Sequence, residues 1–309
     1  MAEEMSQQFR TFLVPLDGSQ LAEAVLPAVE RMAGRFQAAV TLLHVLEQQP
    51  PATIHGERHL TDSAEAEIYL GVVAERLRAA GIAVTTHVHD AREGDVARSI
   101  VDHAEELNAD LVILCTHGGS GLRGVLFGSI AQQVLRQGTR PILLVPPGAA
   151  ERTSVFDLNR ILVPLDGTPA HEPALAIAGA MARAFAAELH LVLVIPTLAT
   201  LSDERAAAGL LLPATMRAIL DLAEQGAVDY LEPIVAQWHA AGVAVTAEVA
   251  RGEPVPTVLD IAAHRDADLL VMASHGRVGL DAILAGSVAP RIAGRVGRPL
   301  LLVRASEDE

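Results

Sequence analysis

Residues 13–18 read LVPLDG, and residues 162–167 read LVPLDG again, an offset of 149. Downstream, His117-Gly118 recurs as His275-Gly276 and Gly128-Ser129 as Gly286-Ser287, at an offset of 158. Arg140-Pro141 followed by ILLV recurs as Arg298-Pro299 followed by LLLV. The landmarks keep their order, and the changed offset marks a nine-residue insertion in the second copy. The chain is therefore a duplication, to be read as two modules. We expect a first domain over 1–147, a polar, Pro/Gly-bearing linker over 148–158 and a second domain over 159–309.

Each module alternates strands and helices. Short apolar runs at Thr11 to Leu16 and Arg160 to Leu165 read as buried strands. A helix follows, with Leu21, Val25, Val29, Met32 and Phe36 at helical spacing in the first copy. Thr168 ahead of Pro169 reads as its N-cap in the second copy, and Ser19 as the equivalent in the first. Second strands are expected at Val40 to Leu46 and Leu189 to Ile195, and long helices end near Gly81 and Gly242. Third strands are expected at Val84 to His89 and Val243 to Val249, and fourth strands at Asp110 to Cys115 and Asp268 to Ala273. Fifth strands complete the pattern at Ile142 to Val145 and Leu300 to Val303. Such alternation implies right-handed crossovers and an α/β fold, a parallel sheet with helices on both faces.

Composition limits what the modules do. The 309 residues are 50% hydrophobic and 3% aromatic, so each half can bury an aliphatic core. A net charge of −15 disfavours nucleic acids and anionic membranes, which call for basic footprints. With one cysteine, Cys115, and an acidic N-terminus lacking an apolar run, the chain fits the reducing cytoplasm.

In open parallel sheets, ligands bind beyond the carboxyl ends of the strands. The end of strand one carries Asp17 or Asp166, able to accept from a ribose hydroxyl or to help hold a metal on phosphates. Either residue could alternatively be a turn aspartate before glycine. Recurrence after identical strands favours the ligand. After strand four come His117, Gly118, Gly128 and Ser129, and in the second copy His275, Gly276, Gly286 and Ser287. Glycines admit a polyphosphate close to backbone, and a helix N-terminus offers free N–H groups. The bland alternative is a glycine-rich loop with a serine N-cap.

VPLDGS, a His-Val pair ending strand two, the His-Gly to Gly-Ser loop and RPILLV together resemble the universal stress protein family, twice over nearly the whole chain. The resemblance implies five-stranded parallel sheets of order 3-2-1-4-5, of the adenine-nucleotide α-hydrolase type. Nucleotide-binding members carry Gly, two residues, Gly, nine residues, Gly, then Ser or Thr. Here Cys115 and Ala273 replace the first glycine. By resemblance, Asp17 and Asp166 lie near ribose and phosphates, Val45 and Val194 meet the adenine, and Pro15 and Pro164 line the pocket. Ile130 and Val288 offer backbone N–H groups, and the neighbours Leu16, Leu165, Thr116 and Ser274 complete the set. The implied ligand is ATP, with Mg²⁺ held through Asp17 or Asp166. The implied role is an ATP-binding regulator of the stress response with at most slow hydrolysis. The alternative is a nucleotide-free scaffold of the same fold. Fifth strands pair domains in this family, which implies an internal pseudo-dimer here, and homodimers or a regulatory protein partner beyond it.

No catalytic apparatus is legible. GxxxxGK[ST], HExxH and a Cys/His zinc spacing are absent, as is the SGGxDS loop of ATP pyrophosphatase-type enzymes after strand one. His117 and His275 stand in the loop where they can touch phosphate, with loop packing or a backbone hydrogen bond as the alternative to a catalytic role, and Cys115 reads as a packing residue rather than a redox sensor. His55, His59, His87 and His89 form a loose group in the first copy only; solvated histidines are favoured over a metal site. Arg58 and His59 can reach over a bound nucleotide, and Leu210 to Leu212 can form a lid or an interface.

Overall fold

A computed structural model describes residues 9–49, 52–116, 129–147, 156–201, 211–274 and 288–305. The chain divides into two compact units, Met1–Asp157 with Ser274–Arg304, and Leu158–Ala273 with Ala305–Glu309.

In the first unit the elements are β1 (Thr11–Pro15), a 3₁₀ turn (Ala22–Val25), α1 (Leu26–Phe36), β2 (Ala39–Glu47), β3 (Thr53–Ile54), β4 (Glu57–Arg58) and α2 (Ser63–Ala79). Then come β5 (Val84–Glu93), α3 (Val96–Glu106), β6 (Leu111–Cys115), α4 (Ser129–Gln137) and β7 (Ile142–Val145). The second unit has β8 (Arg160–Leu165), a 3₁₀ turn (Pro169–His171), α5 (Glu172–Phe185), β9 (Glu188–Ile195), α6 (Pro213–Ala240) and β10 (Val245–Arg251). It continues with α7 (Pro254–His264) and β11 (Leu269–Ser274), whose last residue already counts with the first unit. The chain then returns to the first unit through α8 (Val288–Ala293) and β12 (Leu300–Arg304).

The fold is α/β, with a mostly parallel sheet and helices on both faces. In the first unit β5, β2, β1, β6 and β7 lie side by side and parallel. In the second, β10, β9, β8 and β11 do the same. Strands buried on both faces must be apolar throughout, and β6 is buried at all five positions. Aspartates fasten strand starts in both repeats. Asp110 Oδ2 accepts from the backbone N–H of Arg10 and Thr11 at 2.7 and 2.9 Å. Asp268 Oδ2 accepts from Asn159 and Arg160 at 2.8 and 3.0 Å. The core is largely aliphatic, and at the base of β1 Phe9 packs edge-on against Phe12 and Phe36.

Compact units and sequence repeats are different partitions of the chain. β12, the last strand of the second repeat, pairs antiparallel with β7, Leu300 opposite Leu144 and Leu302 opposite Ile142. That ladder covers the free edge of β7, which would otherwise expose a row of unpaired backbone groups. The linker region also departs from a plain spacer, since Phe156 and Leu158 are buried.

Local differences from the sequence expectation have physical causes. The helix after strand one opens with a 3₁₀ turn in both repeats. Thr168 occupies an N-cap position but makes no side-chain capping bond; its hydroxyl donates to Asp166 at 2.7 Å. Ser19 Oγ does accept from the Ala22 N–H at 3.1 Å, serving the 3₁₀ turn. Residues 53–58, expected as loop, form the β3–β4 hairpin, with left-handed His55 and Gly56 at its tip. Arg58 is exposed, and its Nη2 donates to both carboxylate oxygens of Glu65, at 2.8 and 2.7 Å. Leu211 and Leu212 are exposed, and Leu210 lies outside the described residues.

Candidate functional site

β1 ends in Pro-Leu-Asp-Gly, and the chain must turn sharply there. Gly18 takes φ +90°, and a Cβ on it would stand 2.7 Å from Leu60 Cδ1. Glycine is therefore doubly required. The turn is closed by Asp17, whose Oδ1 accepts from the Ser19 N–H at 2.9 Å and the Ser19 hydroxyl at 2.6 Å. Its other oxygen faces His55 Nε2 at 3.5 Å.

Beside this turn, beyond the carboxyl ends of β1, β2 and β6, lies a cleft. Pro15, Leu16 and Asp17 form one wall, and Leu43, His44, Val45 and Glu47 of β2 another. Leu114 and Cys115 come from β6, Val96 and Ile100 from α3, Ile130 and Ala131 from α4, and Ala22 from the 3₁₀ turn. Ile54 and His59 approach from the hairpin. Five residues singled out from the sequence, Pro15, Leu16, Asp17, Val45 and Ile130, are thereby brought together. Thr116 is not among the lining residues; its backbone N–H and hydroxyl both go to the Val145 carbonyl, at 2.9 and 3.5 Å. His117, Gly118 and Gly128 lie outside the described residues, and Ser129 is described only as the first residue of α4.

Three cleft residues carry chemistry of their own, and of these only His59 was expected from the sequence to reach over a bound nucleotide. His44 is 1% exposed. Its Nδ1 donates to the Leu16 carbonyl at 2.8 Å, while Nε2 has no hydrogen-bond partner among the described residues. Burial depresses the His44 pKa, outweighing its bond to Leu16, so the ring is neutral and Nε2 presents a lone pair. A histidine inside a run as apolar as Leu42-Leu43-His44-Val45 was the available signal. His59 is equally buried, 3.8 Å from Glu47. Burial, and to a lesser degree the Asp17 charge, push the Cys115 thiol up to about 12. That favours the packing role over redox chemistry.

The second repeat arranges its counterpart differently. Asp166 Oδ1 accepts from the Thr168 N–H at 3.0 Å and hydroxyl at 2.7 Å, and meets His171 Nδ1 at 2.8 Å. Burial opposes ionisation of Asp166, yet the bonds from His171 and Thr168 overcome it and hold the carboxyl down at about 2. At the 149-residue offset, His171 stands where the first repeat has Ala22, so the first cleft is open where the second has an imidazole. Pro164 and Leu165 end β8, and Val194 sits near the end of β9. Ser274 closes β11 with a buried hydroxyl lacking a partner among the described residues. Val288 opens α8, and His275, Gly276, Gly286 and Ser287 lie outside the described residues.

The histidines of the first repeat form two groups rather than the one expected. His55 and His59 belong to the hairpin beside the cleft, whereas His87 and His89 on β5 meet His103 of α3. Spacing alone hid His103, which is fourteen residues from His89 in sequence.

The two repeats are α/β modules of the same class, a parallel sheet with helices on both faces, and the first carries a cleft at its strand ends. The universal stress protein family profile matches residues 8–146 and again 158–304. The chain belongs to the universal stress protein family. A universal stress protein of Mycolicibacterium smegmatis is 28% identical over 314 residues, covering 94% of this chain and 96% of its own. The universal stress protein Sll1654 of Synechocystis is 36% identical over 140 residues, 45% of this chain and 86% of its own. The crystal structure of a universal stress protein from Archaeoglobus fulgidus shares the fold over 98% of this chain and 99% of its own, with a TM-score of 0.69 and 21% identity.

Proposed function

We propose that the first-unit cleft binds an adenine nucleotide, ATP with Mg²⁺, and that the protein regulates by binding rather than by catalysis. One observation carries the reading. Apolar walls from β1, β2, β6 and α4 converge on a cleft whose rim is Asp17, in the strand-end position where open parallel sheets take ligands. The apolar walls fit a base, and the Asp17 carboxylate, held at the rim by Ser19, suits a ribose hydroxyl or a hydrated Mg²⁺. The buried Nε2 of His44 is an unsatisfied acceptor that an exocyclic amino group would complete.

The second repeat supports a weaker site, because His171 adds a third contact, at 2.8 Å, to the Asp166 oxygen that Thr168 already holds and puts an imidazole where the first repeat has Ala22. The cleft's one thiol, Cys115, stays protonated near neutral pH, which removes it as a nucleophile. Calorimetric titration with ATP and Mg²⁺ tests the proposal. Wild-type protein should bind, and Asp17→Ala should weaken binding by about tenfold or more, the cost of a lost charge-assisted hydrogen bond. Neither heat nor a thermal shift at millimolar ATP would leave the scaffold reading in its place.

A further inference from the structure

We propose that His87, His89 and His103 form a site for one borderline divalent transition-metal ion, zinc in the first instance. The site lies on the α3-facing side of β5, apart from the cleft lining, and does not depend on nucleotide binding.

Alternate residues of a strand share a face, so β5 presents His87 and His89 side by side. His103, from the last turn of α3, meets both rings. Its ring centroid lies 4.8 Å from that of His87 and 4.9 Å from that of His89. One ligand nitrogen from each ring falls within 4.8 Å of the others, the one such group among the described residues. The buried member is also oriented. His103 Nδ1 lies 2.7 Å from the Ser99 carbonyl, which can only accept, so Nδ1 carries the proton. In the neutral ring the lone pair is then on Nε2, which points at His87 Nε2, 3.0 Å away. Metal-bound histidines characteristically donate their second N–H to a carbonyl or carboxylate in this way. His264 makes the same contact to the Asp260 carbonyl, at 2.7 Å, outside any such group. What distinguishes His103 is thus the convergence of three rings.

The dimensions suit zinc. Tetrahedral zinc with Zn–N of about 2.0–2.1 Å requires its nitrogens roughly 3.3 Å apart. The spacings run from 3.0 Å to at most 4.8 Å, so small ring rotations close the site. The ion would replace the proton shared by His87 and His103. His103 is buried, His89 partly buried and His87 exposed, which leaves a fourth position open to water or an incoming donor. Three imidazoles favour zinc, cobalt, nickel or copper over magnesium or calcium.

The second repeat lacks the site. Val84 partners Val40 and Val245 partners Leu189, residues at the 149 offset, so His87 and His89 correspond to Glu248 and Ala250. Counting back seven residues from Asp110 and Asp268 pairs His103 with Ile261. The stoichiometry should therefore be one ion per chain.

The test uses tag-free, full-length protein stripped with chelator and free of nucleotide. Zinc is titrated in competition with a chromogenic chelator, and the bound ion is examined by X-ray absorption. One zinc per chain is expected, with a shell of three imidazole nitrogens near 2.0 Å. His87→Ala and His89→Ala should each weaken binding at least about tenfold, while His264→Ala, an exposed histidine of the second unit, should leave it unchanged. Absence of zinc binding overturns the proposal. So does a purely oxygen shell, or an affinity unaltered in the double variant, either of which assigns the ion to surface carboxylates of this acidic chain. The absorption measurement on wild type stands independently of how the variants fold.

Discussion

Replacing Gly179 with alanine sets two effects of opposite sign against each other. Gly179 lies inside α5, where glycine costs about 1 kcal/mol relative to alanine on helix propensity alone. In an open helix the substitution would stabilise. Here a Cβ at 179 would fall 2.0 Å from Trp238 Cη2 and 2.2 Å from Cζ3. Carbon atoms rest at about 3.5–4.0 Å, so α6 or the indole must retreat by roughly 1.5 Å. Trp238 is 7% exposed, with Arg183 stacked over its ring at 5.4 Å, and has little room to yield. Overpacking of this kind costs about 1–3 kcal/mol, more than the propensity gain over most of that range. A contact as short as 2.0 Å puts the cost in the upper part of that range, about 2–3 kcal/mol, so we expect net destabilisation of about 1–2 kcal/mol, a fall in melting temperature of roughly 2–8 °C for a unit of this size. Trp238 is the chain's one tryptophan, so intrinsic fluorescence during urea or thermal unfolding reports on this contact without labelling. Adding Trp238→Leu to Gly179→Ala should recover part of the loss relative to Trp238→Leu alone. An unchanged or raised midpoint in Gly179→Ala would refute the packing of α5 on α6.

The other outcomes concern titrating groups. Asp166 titrates at about 2 in the folded chain against 3.8 ordinarily, so its contribution to stability is complete above about pH 4 and is lost as the pH falls toward 2. Carbon-detected NMR should place its midpoint there, and His171→Ala should move it up toward the ordinary value; a midpoint already near 4 in wild type would contradict the clamp. Cys115, at about 12, carries roughly one thiolate in ten thousand molecules at pH 8, so a thiol reagent should modify native protein far more slowly than denatured protein. Rapid labelling of native protein would show the end of β6 to be exposed.

The fold was largely legible because its signals are local and repeated. Apolar runs such as LVILC, short and set between helical segments, read as strands buried on both faces, and duplication supplied an internal check on the boundaries. The Asp-Gly turn was readable because a tight turn at positive φ calls for glycine, whereas the approach of Leu60 to Gly18 was not. Contacts made across the fold were hidden. Nothing near Thr168 announces that its hydroxyl serves Asp166 rather than the helix. The hairpin at 53–58 is two residues per strand, too short for any periodicity. His103 joins His87 and His89 only because α3 packs against β5. Likewise, β12 joins the first unit because it pairs with β7, a tertiary choice that no boundary in the repeat records.

The central claim is a nucleotide site in the first-unit cleft, and filling that cleft tests it most directly. Ala22 lines the cleft from the 3₁₀ turn, so Ala22→Phe should place a ring where the base would sit. Calorimetry with ATP and Mg²⁺ should then show a higher-affinity site in wild type that disappears in Ala22→Phe, with any weaker second-repeat binding unaffected. Binding of equal affinity and stoichiometry in both proteins would contradict the account.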